Sequence, residues 1–211
     1  MEKKLSKIVF AVLILFLPAI SYGQLVTIAI SGYVTDIGDE NGHFGGQIQV
    51  NDLISGTYTY DSETSDLYPA DLTYAKYLNY NELTGISLYV SGFNFRTNPS
   101  NVEVGITIRN NNLGEDRYTF ASSHNLSLSD NTLVQGIGWI LSDSTGTALA
   151  SDLLPSTAPD LNKWNSNTLI ISTDRDFTIS ATVTSATLIP EPTSILLFGM
   201  SMMLARKHFS K

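Results

Sequence analysis

The sequence predicts an all-β protein, an antiparallel two-sheet sandwich that is jelly-roll-like, flanked by an N-terminal signal helix and a C-terminal apolar helix. Apolar and polar residues alternate in short runs, as they do in strands with one buried face. Turn-forming segments separate these runs, which recur about every 10–20 residues. No 3.6-residue apolar period is evident between the two ends of the chain. A closed barrel is the alternative architecture.

The first predicted strand, LVTIAISGYVT, shows this alternation clearly. Val26 and Ile28 are apolar, whereas Thr27 between them is polar, so one face of the strand would be buried. The same pattern predicts eight further strands: Gly46–Val50, Ser55–Tyr60, Gly85–Val90, Val102–Arg109, Arg117–Ser122, Gly136–Leu141, Leu169–Thr173 and Phe177–Leu188. The segments between them, such as DIGDENG and NNLGED, have the Asp, Asn and Gly content of turns.

Composition indicates one ordered domain between two processing segments. The chain has 211 residues, of which 43% are hydrophobic and 15% charged, too apolar for a disordered chain. It has no cysteine, which excludes disulfides, thiolate metal sites and a cysteine nucleophile. The predicted division is a signal peptide at residues 1–23, a β-sandwich at 24–188 and a sorting segment at 189–211.

The charge of the body argues against nucleic acid as a partner. The whole chain carries −8 at pH 7, but half of its twelve basic residues lie in the two ends. Residues 24–188 hold six basic and 18 acidic residues, a net charge of −12. Such a body repels nucleic acid and anionic lipid, and it suits cation binding or neutral partners.

The N-terminal sequence MEKKLSKIVFAVLILFLPAISYGQ has the layout of a secretory signal peptide. Three lysines precede the apolar run Ile8–Leu17, and Pro18 then breaks any helix. Ser21 and Gly23 supply the small residues before a cut at Gln24. The apolar run is short of the ~20 residues that a membrane span needs. We therefore expect export by the Sec machinery and cleavage by signal peptidase.

The C-terminal sequence predicts a short apolar helix with a basic end. Pro190 and Pro192 keep the backbone before it extended. Ile195–Leu204 is apolar apart from one glycine and one serine, and Arg206 and Lys207 follow it. A helix from Thr193 to Phe209 would be about 25 Å long, close to a ~30 Å hydrocarbon core. The basic pair would remain on the cytoplasmic side as a stop. A plain membrane anchor is the alternative.

These features together, Pro190-Glu191-Pro192, the apolar helix and Arg206-Lys207, resemble the PEP-CTERM sorting signal of Gram-negative bacteria. The resemblance covers about the last 22 residues. It implies that the chain is the substrate of an exosortase, a membrane-embedded protease that would cut near the motif. The body would be anchored transiently in the inner membrane and then pass to the cell surface or the exopolysaccharide matrix.

Four short segments of the body are similar to features of PEP-CTERM proteins whose β-sandwich bodies have no assigned activity. They are GTYTYD at Gly56–Asp61, DRY at Asp116–Tyr118, LSD at Leu141–Asp143 and LP at Leu154–Pro155. This second resemblance implies the fold more than any function.

Candidates for catalysis are few, and we predict that the protein is not an enzyme. His43 and His124 are the histidines of the body, and the chain has no G-x-S-x-G elbow or H-E-x-x-H motif. Glycosidases need two carboxylates, and the candidates in turn-like segments are Asp61, Glu63, Asp66, Glu115 and Asp116. Asp is common in such segments because it hydrogen-bonds the backbone.

Two clusters of oxygen ligands are candidates for calcium, which takes about six to eight oxygens. One comprises Asp36, Asp39, Glu40 and Asn41, and the other comprises Asn110, Asn111, Asn112, Glu115 and Asp116. Neither has the EF-hand spacing, and solvated turns are the alternative interpretation. We predict no metal site and no obligatory cofactor.

Aromatic residues are the candidates for sugar binding, since exposed rings stack on sugar faces. Trp139 lies within an apolar run and is predicted to be core, whereas Trp164 follows two prolines and is predicted to be exposed. Tyr74, Tyr77 and Tyr80 recur every third residue, which suits a short helix or a loop. Filling of the sandwich core is the alternative role for these rings.

The sequence therefore predicts an exported cell-surface or extracellular-matrix protein of structural or adhesive type. The alternatives are a carbohydrate-binding module for exopolysaccharide and a plain membrane-anchored surface protein. Expected partners are the Sec machinery, signal peptidase, exosortase, the inner membrane through the C-terminal helix, and exopolysaccharide.

Overall fold

The computed structural model describes residues 24–39, 42, 44–174 and 177–190. Most of the two predicted processing segments lies outside the described residues, and so do Glu191, Pro192, Arg206 and Lys207. The strands are β1 (Leu25–Gly38), β2 (Leu53–Asp61), β3 (Tyr74–Asn79), β4 (Gly85–Val90), β5 (Phe93–Arg96), β6 (Val104–Asn112), β7 (Glu115–Ser122), β8 (Val134–Asp143), β9 (Ser166–Thr173) and β10 (Thr178–Ile189). One 3₁₀ turn, Leu161–Lys163, precedes β9.

The prediction of an all-β antiparallel protein is confirmed. The ten strands form one hydrogen-bonded sheet in the order β3-β6-β7-β8-β9-β10-β1-β2-β4-β5, curled into a half-barrel. The sequence predicted two sheets, whereas the ladder here continues from one half to the other through β9, β10 and β1. Alternation along a strand reports which face is buried, but two separate sheets and one curled sheet produce the same alternation.

The core lies inside the curl, where side chains from the two halves of the sheet meet. Tyr58 on β2 has its ring 4.7 Å from that of Phe120 on β7 and 5.7 Å from that of Trp139 on β8. All three side chains are fully buried. The prediction that Trp139 belongs to the core is therefore confirmed.

One predicted strand, Gly46–Val50, is wrong. The structure has turns over this segment, and Gly45 and Gly46 both have positive φ values, 53° and 73°. Two successive left-handed residues are incompatible with a strand, and glycine adopts that conformation without steric cost. Ile48 and Phe44 are buried from this loop and join the core.

Two strands, β3 and β5, were not predicted. In β3 the three-residue spacing of tyrosines is coincidental, because Tyr77 faces the core, Tyr74 faces outward and Tyr80 lies beyond the strand. The short strand β5 pairs with β4 through a two-residue hairpin, in which Ser91 and Gly92 have φ values of 48° and 93°. Positive φ at both positions fits the twist of a hairpin.

Among the described residues, no helix has the length and apolar character needed to cross a membrane.

Candidate functional site

The candidate site lies under the long connection between β8 and β9, residues 144–165, which we call the covering loop. Asp143, the last residue of β8, directly precedes this loop, and Asp116 lies directly opposite Asp143 on β7. Both carboxylates are buried. Alternation explains their position, since each is the inward-facing residue at the end of its strand.

Asp143 binds the backbone of the covering loop. Its carboxylate accepts N–H bonds from Thr145, Thr147 and Ala148 at 3.1, 2.9 and 3.1 Å. The Thr147 N–H is the largest cause that lowers the pKa of Asp143 to about 2, and bonds from Thr145 assist it. Hydrogen bonds to the ionised form favour that form, so this side chain remains a carboxylate at neutral pH.

Asp116 joins the end of β6 to the covering loop. One carboxylate oxygen accepts the Asn111 N–H at 2.5 Å, and the other accepts the Leu149 N–H at 2.7 Å. The last residues of β6, just before its turn, are thereby tied to the covering loop. Both oxygens of this buried acid are committed to backbone donors, which is a structural role.

Two tyrosines hold the far part of the covering loop. The Tyr60 hydroxyl donates to the carbonyl of Pro155, and the Tyr77 hydroxyl donates to the carbonyl of Asp152 at 2.9 Å. Burial raises the pKa of Tyr60, and burial reinforced by nearby Asp66 and Asp152 raises the pKa of Tyr77 to about 12. Both groups are therefore neutral donors at physiological pH.

The covering loop and the sheet enclose a cleft of about 200 Å³. The residues that form it include Tyr118, Leu149, Pro155, Asp160, Lys163 and Trp164. Trp164 was predicted to be exposed, but it is half-buried and packs against the core. The cleft offers an indole ring, one ammonium group and one carboxylate to a small ligand, a set that suits a sugar ring better than an extended apolar molecule.

The four segments of the second resemblance meet at this site. Tyr60 of GTYTYD binds Pro155 of LP, and Asp116 of DRY pairs with Asp143 of LSD. The hydroxyls of Tyr58 and Tyr118 lie 3.5 Å apart in the core beneath. No periodicity in the sequence places these segments together, because the contacts span up to 95 residues.

The structure does not bring the predicted carboxylates together as a catalytic pair. Glu115 lies on the outer face of β7, whereas Asp116 lies in the core. Asp61 accepts the N–H of Glu63 at 2.9 Å, and Asp66 accepts the N–H of Tyr68 at 3.0 Å. These are the backbone bonds for which Asp is favoured in turns.

The remaining predicted sites are distributed over the surface. His124 lies 3.6 Å from the carboxylate of Glu103, with both side chains well exposed, and His43 lies outside the described residues. Of the first calcium cluster, Asp39 accepts the N–H of Phe44, while Glu40 and Asn41 lie outside the described part. Within the described part, no three acidic, histidine or cysteine side chains form a group able to hold a metal ion.

Comparison of this chain with family models, with curated proteins and with solved structures finds no match.

Proposed function

We propose that this chain is an exported cell-surface or extracellular-matrix protein of structural or adhesive type, sorted and processed through Pro190, Glu191 and Pro192. The observation that supports this proposal is that the last strand of the body ends directly before the motif. Strand β10 ends at Ile189, and Pro190 follows without a linker. Proline has no N–H to donate to a ladder, so strand pairing ends where the motif begins.

The pairing of β10 with β1 places the two points where the predicted processing segments join the body next to each other. Thr27 near the start of β1 pairs with Ile189 at the end of β10, so the predicted signal peptide and sorting segment leave the body at the same end of one strand pair. Strand β10 also lies in the interior of the sheet, between β9 and β1. The body therefore completes its fold only after residues up to 189 have crossed the membrane, while the apolar segment still holds the chain there.

The roles of the buried polar groups support action without turnover. Asp116, Asp143, Tyr60 and Tyr77 all bind loop backbone. Groups committed to backbone donors and acceptors are not available to exchange protons with a substrate.

The sorting proposal is tested with the full chain in a Gram-negative host that has an exosortase. The wild type recovered outside the cell should lack Lys211 by mass spectrometry. A variant with Pro190→Ala, Glu191→Gln and Pro192→Ala should accumulate in the inner membrane as a longer precursor, whereas Glu82→Gln on the exposed surface should behave as wild type. External protein that retains Lys211, or normal processing of the triple variant, would contradict the proposal.

The cleft under the covering loop favours a second candidate function, a carbohydrate-binding module for exopolysaccharide. Trp164 is the ring that a sugar would contact there. Pull-down with the host polysaccharide should fail for Trp164→Ala at a temperature where circular dichroism shows this variant to be folded, since the ring also packs against the core. It should persist for Tyr80→Ala, which removes a tyrosine that is exposed elsewhere. Equal binding by both variants would remove the cleft from consideration.

A further inference from the structure

Two arginines face each other on the outer surface of the sheet. Arg109 on β6 and Arg117 on β7 are directly paired across the two strands. Both are outward-facing, because their neighbours Ile108 and Tyr118 are in the core. Paired Cα atoms in an antiparallel ladder are about 4.5–5.5 Å apart, so the two arginine side chains leave the sheet at adjacent positions.

The two charges have no partner in the described part of the molecule. Neither guanidinium forms an ion pair or a side-chain hydrogen bond there, and the Nε of Arg117 is buried without a partner. Glu115, two residues earlier on the same face, is not in an ion pair with Arg117. Like charges directly opposite destabilise a strand pair, and unsatisfied buried donors are rare. The arrangement is notable in a body with 18 acidic residues available to neutralise it.

The neighbours of the pair extend it into a row across four strands. Tyr74 on β3 is opposite Arg109, and Ser142 on β8 is opposite Arg117. We call Tyr74, Arg109, Arg117 and Ser142 the arginine row. Lys76 occupies the adjacent outward position on β3.

A shallow groove lies beside the arginine row on the same face. It measures about 270 Å³, and the side chains around it include those of Thr119, Ala121, Ile140 and Ile170. Gly138 is among the residues that line it and has no side chain to interrupt the surface. A shallow, mainly apolar surface that also carries the hydroxyls of Thr119 and Ser172 suits the apolar faces and polar edges of an extended sugar chain.

We propose that the arginine row binds a carboxylate-bearing polysaccharide. Arg109 and Arg117 bind the carboxylates, because a planar guanidinium group can form two parallel hydrogen bonds to one carboxylate. Tyr74 and the groove contact the sugar rings. The net charge of −12 on the body repels densely charged polymers and membranes, so the anion that can approach carries its charges sparsely on an otherwise neutral chain. The inference deepens the proposed function by naming the class of matrix polymer and the surface that meets it.

Affinity electrophoresis of the purified full chain tests this inference. Partly methyl-esterified polygalacturonate, whose free carboxylates are sparse, should retard the wild type, and the fully methyl-esterified form, with the carboxylates blocked, should not. The double variant Arg109→Gln, Arg117→Gln should bind at least tenfold more weakly. Arg96→Gln removes one exposed arginine from β5 in the other half of the sheet, and it should stay within twofold of wild type. Raising NaCl from about 50 to 500 mM should weaken binding, because exposed charges are screened.

The folding of the variants is checked by thermal melting. The double variant should melt at or above the wild-type temperature, because the substitution relieves repulsion between like charges. If the double variant fails to fold, Arg117→Lys is used in its place. Lysine keeps the charge but cannot form the bidentate pair, so this variant should bind the polymer several-fold more weakly.

Three outcomes would overturn the inference. They are no retardation by the partly esterified polymer, equal retardation of the double variant, and competition by millimolar inorganic phosphate or by phosphatidylglycerol vesicles as effective as that of the polymer. The assay needs no exosortase. A chain that is processed normally but does not bind overturns this inference alone, whereas a chain that binds but is not processed overturns the sorting proposal alone.

Discussion

At the scale of single residues, buried carboxylates in this protein organise loops. The two oxygens of Asp143 accept the N–H groups of Thr145, Thr147 and Ala148, and the two oxygens of Asp116 join the end of β6 to the covering loop. Backbone N–H groups in a tight turn need acceptors, and an ionised carboxylate is a strong one. The order of the covering loop therefore depends on the hydrogen bonds that these carboxyl groups accept.

Asp143 gives a pH dependence whose sign follows from its lowered pKa. Its pKa is about 2 in the folded protein against 3.8 for an ordinary Asp, so its contribution to stability is complete above about pH 4 and is lost as the pH falls towards 2. Urea unfolding at neutral pH and at pH 2 should show Asp143→Asn clearly less stable than wild type at neutral pH, with the difference largely gone at pH 2.

The matched control for this prediction is Asp152→Asn in the same loop. The Asp152 carboxylate accepts no hydrogen bond from the described residues, although its backbone carbonyl binds Tyr77. This variant should follow the wild type at both pH values. A constant difference between Asp143→Asn and wild type over the whole range would contradict the assignment.

At the scale of elements, both edges of the sheet are covered by loops. Along β3, Leu67 donates its N–H to the carbonyl of Lys76, and Asp66 accepts the N–H of Lys76. Along β5, Leu126 donates to the carbonyl of Arg96, and Thr97 bridges to Asn125. Exposed strand edges template association with other chains, so this covering keeps the two ends of the half-barrel from pairing with further copies.

Strands β2 and β4 approach each other so closely at Gly56 that this position requires glycine. A Cβ on this residue would overlap the carbonyl oxygen of Ser87 and lie 2.9 Å from the Cα of Leu88, both of which are backbone atoms. Gly56→Ala should therefore lower the free energy of unfolding by about 1–3 kcal/mol or more, because the two strands must separate. Urea unfolding measures the change.

Gly105 on β6 is the matched control, since it is also a glycine within a strand. A Cβ there would meet only Leu78 Cδ2, at 3.5 Å, an ordinary contact. Gly105→Ala should be neutral or stabilising by about 0.4–1 kcal/mol, because alanine restricts the unfolded chain. If both alanine variants lost the same free energy of unfolding, the loss would be a general cost of alanine in the sheet, and the close approach of the strands at Gly56 would not be its cause.

At the scale of the whole molecule, one continuous sheet makes the two halves of the body interdependent. Trp139 illustrates the coupling, since its indole N–H donates to Asn167 on β9 at 2.8 Å, and Asn167 donates in turn to Val183 on β10. The chain also closes on itself, because its first strand pairs with its last. Neither half can bury its inner face without the other.

Urea unfolding should accordingly be a single transition seen by both tryptophans. In Trp164→Phe the remaining indole, Trp139, reports the core, and in Trp139→Phe the remaining indole, Trp164, reports the cleft. Within each variant, fluorescence and far-UV circular dichroism should have the same midpoint. Loss of the Trp164 signal at lower urea than the dichroism would show that the covering loop unfolds separately.

The sequence by itself determined the β class, most of the strands, the core position of Trp139 and the expectation of processing at both ends. These depend on local signals, namely alternation, turn residues and the order of charged and apolar segments, which act within a few residues of each other. The tertiary structure decided that the layers belong to one curled sheet, that Asp116 and Glu115 separate onto opposite faces, and that Arg109 meets Arg117. Register and curvature arise from pairing between distant strands, whose energies depend on contacts that no single stretch of sequence contains.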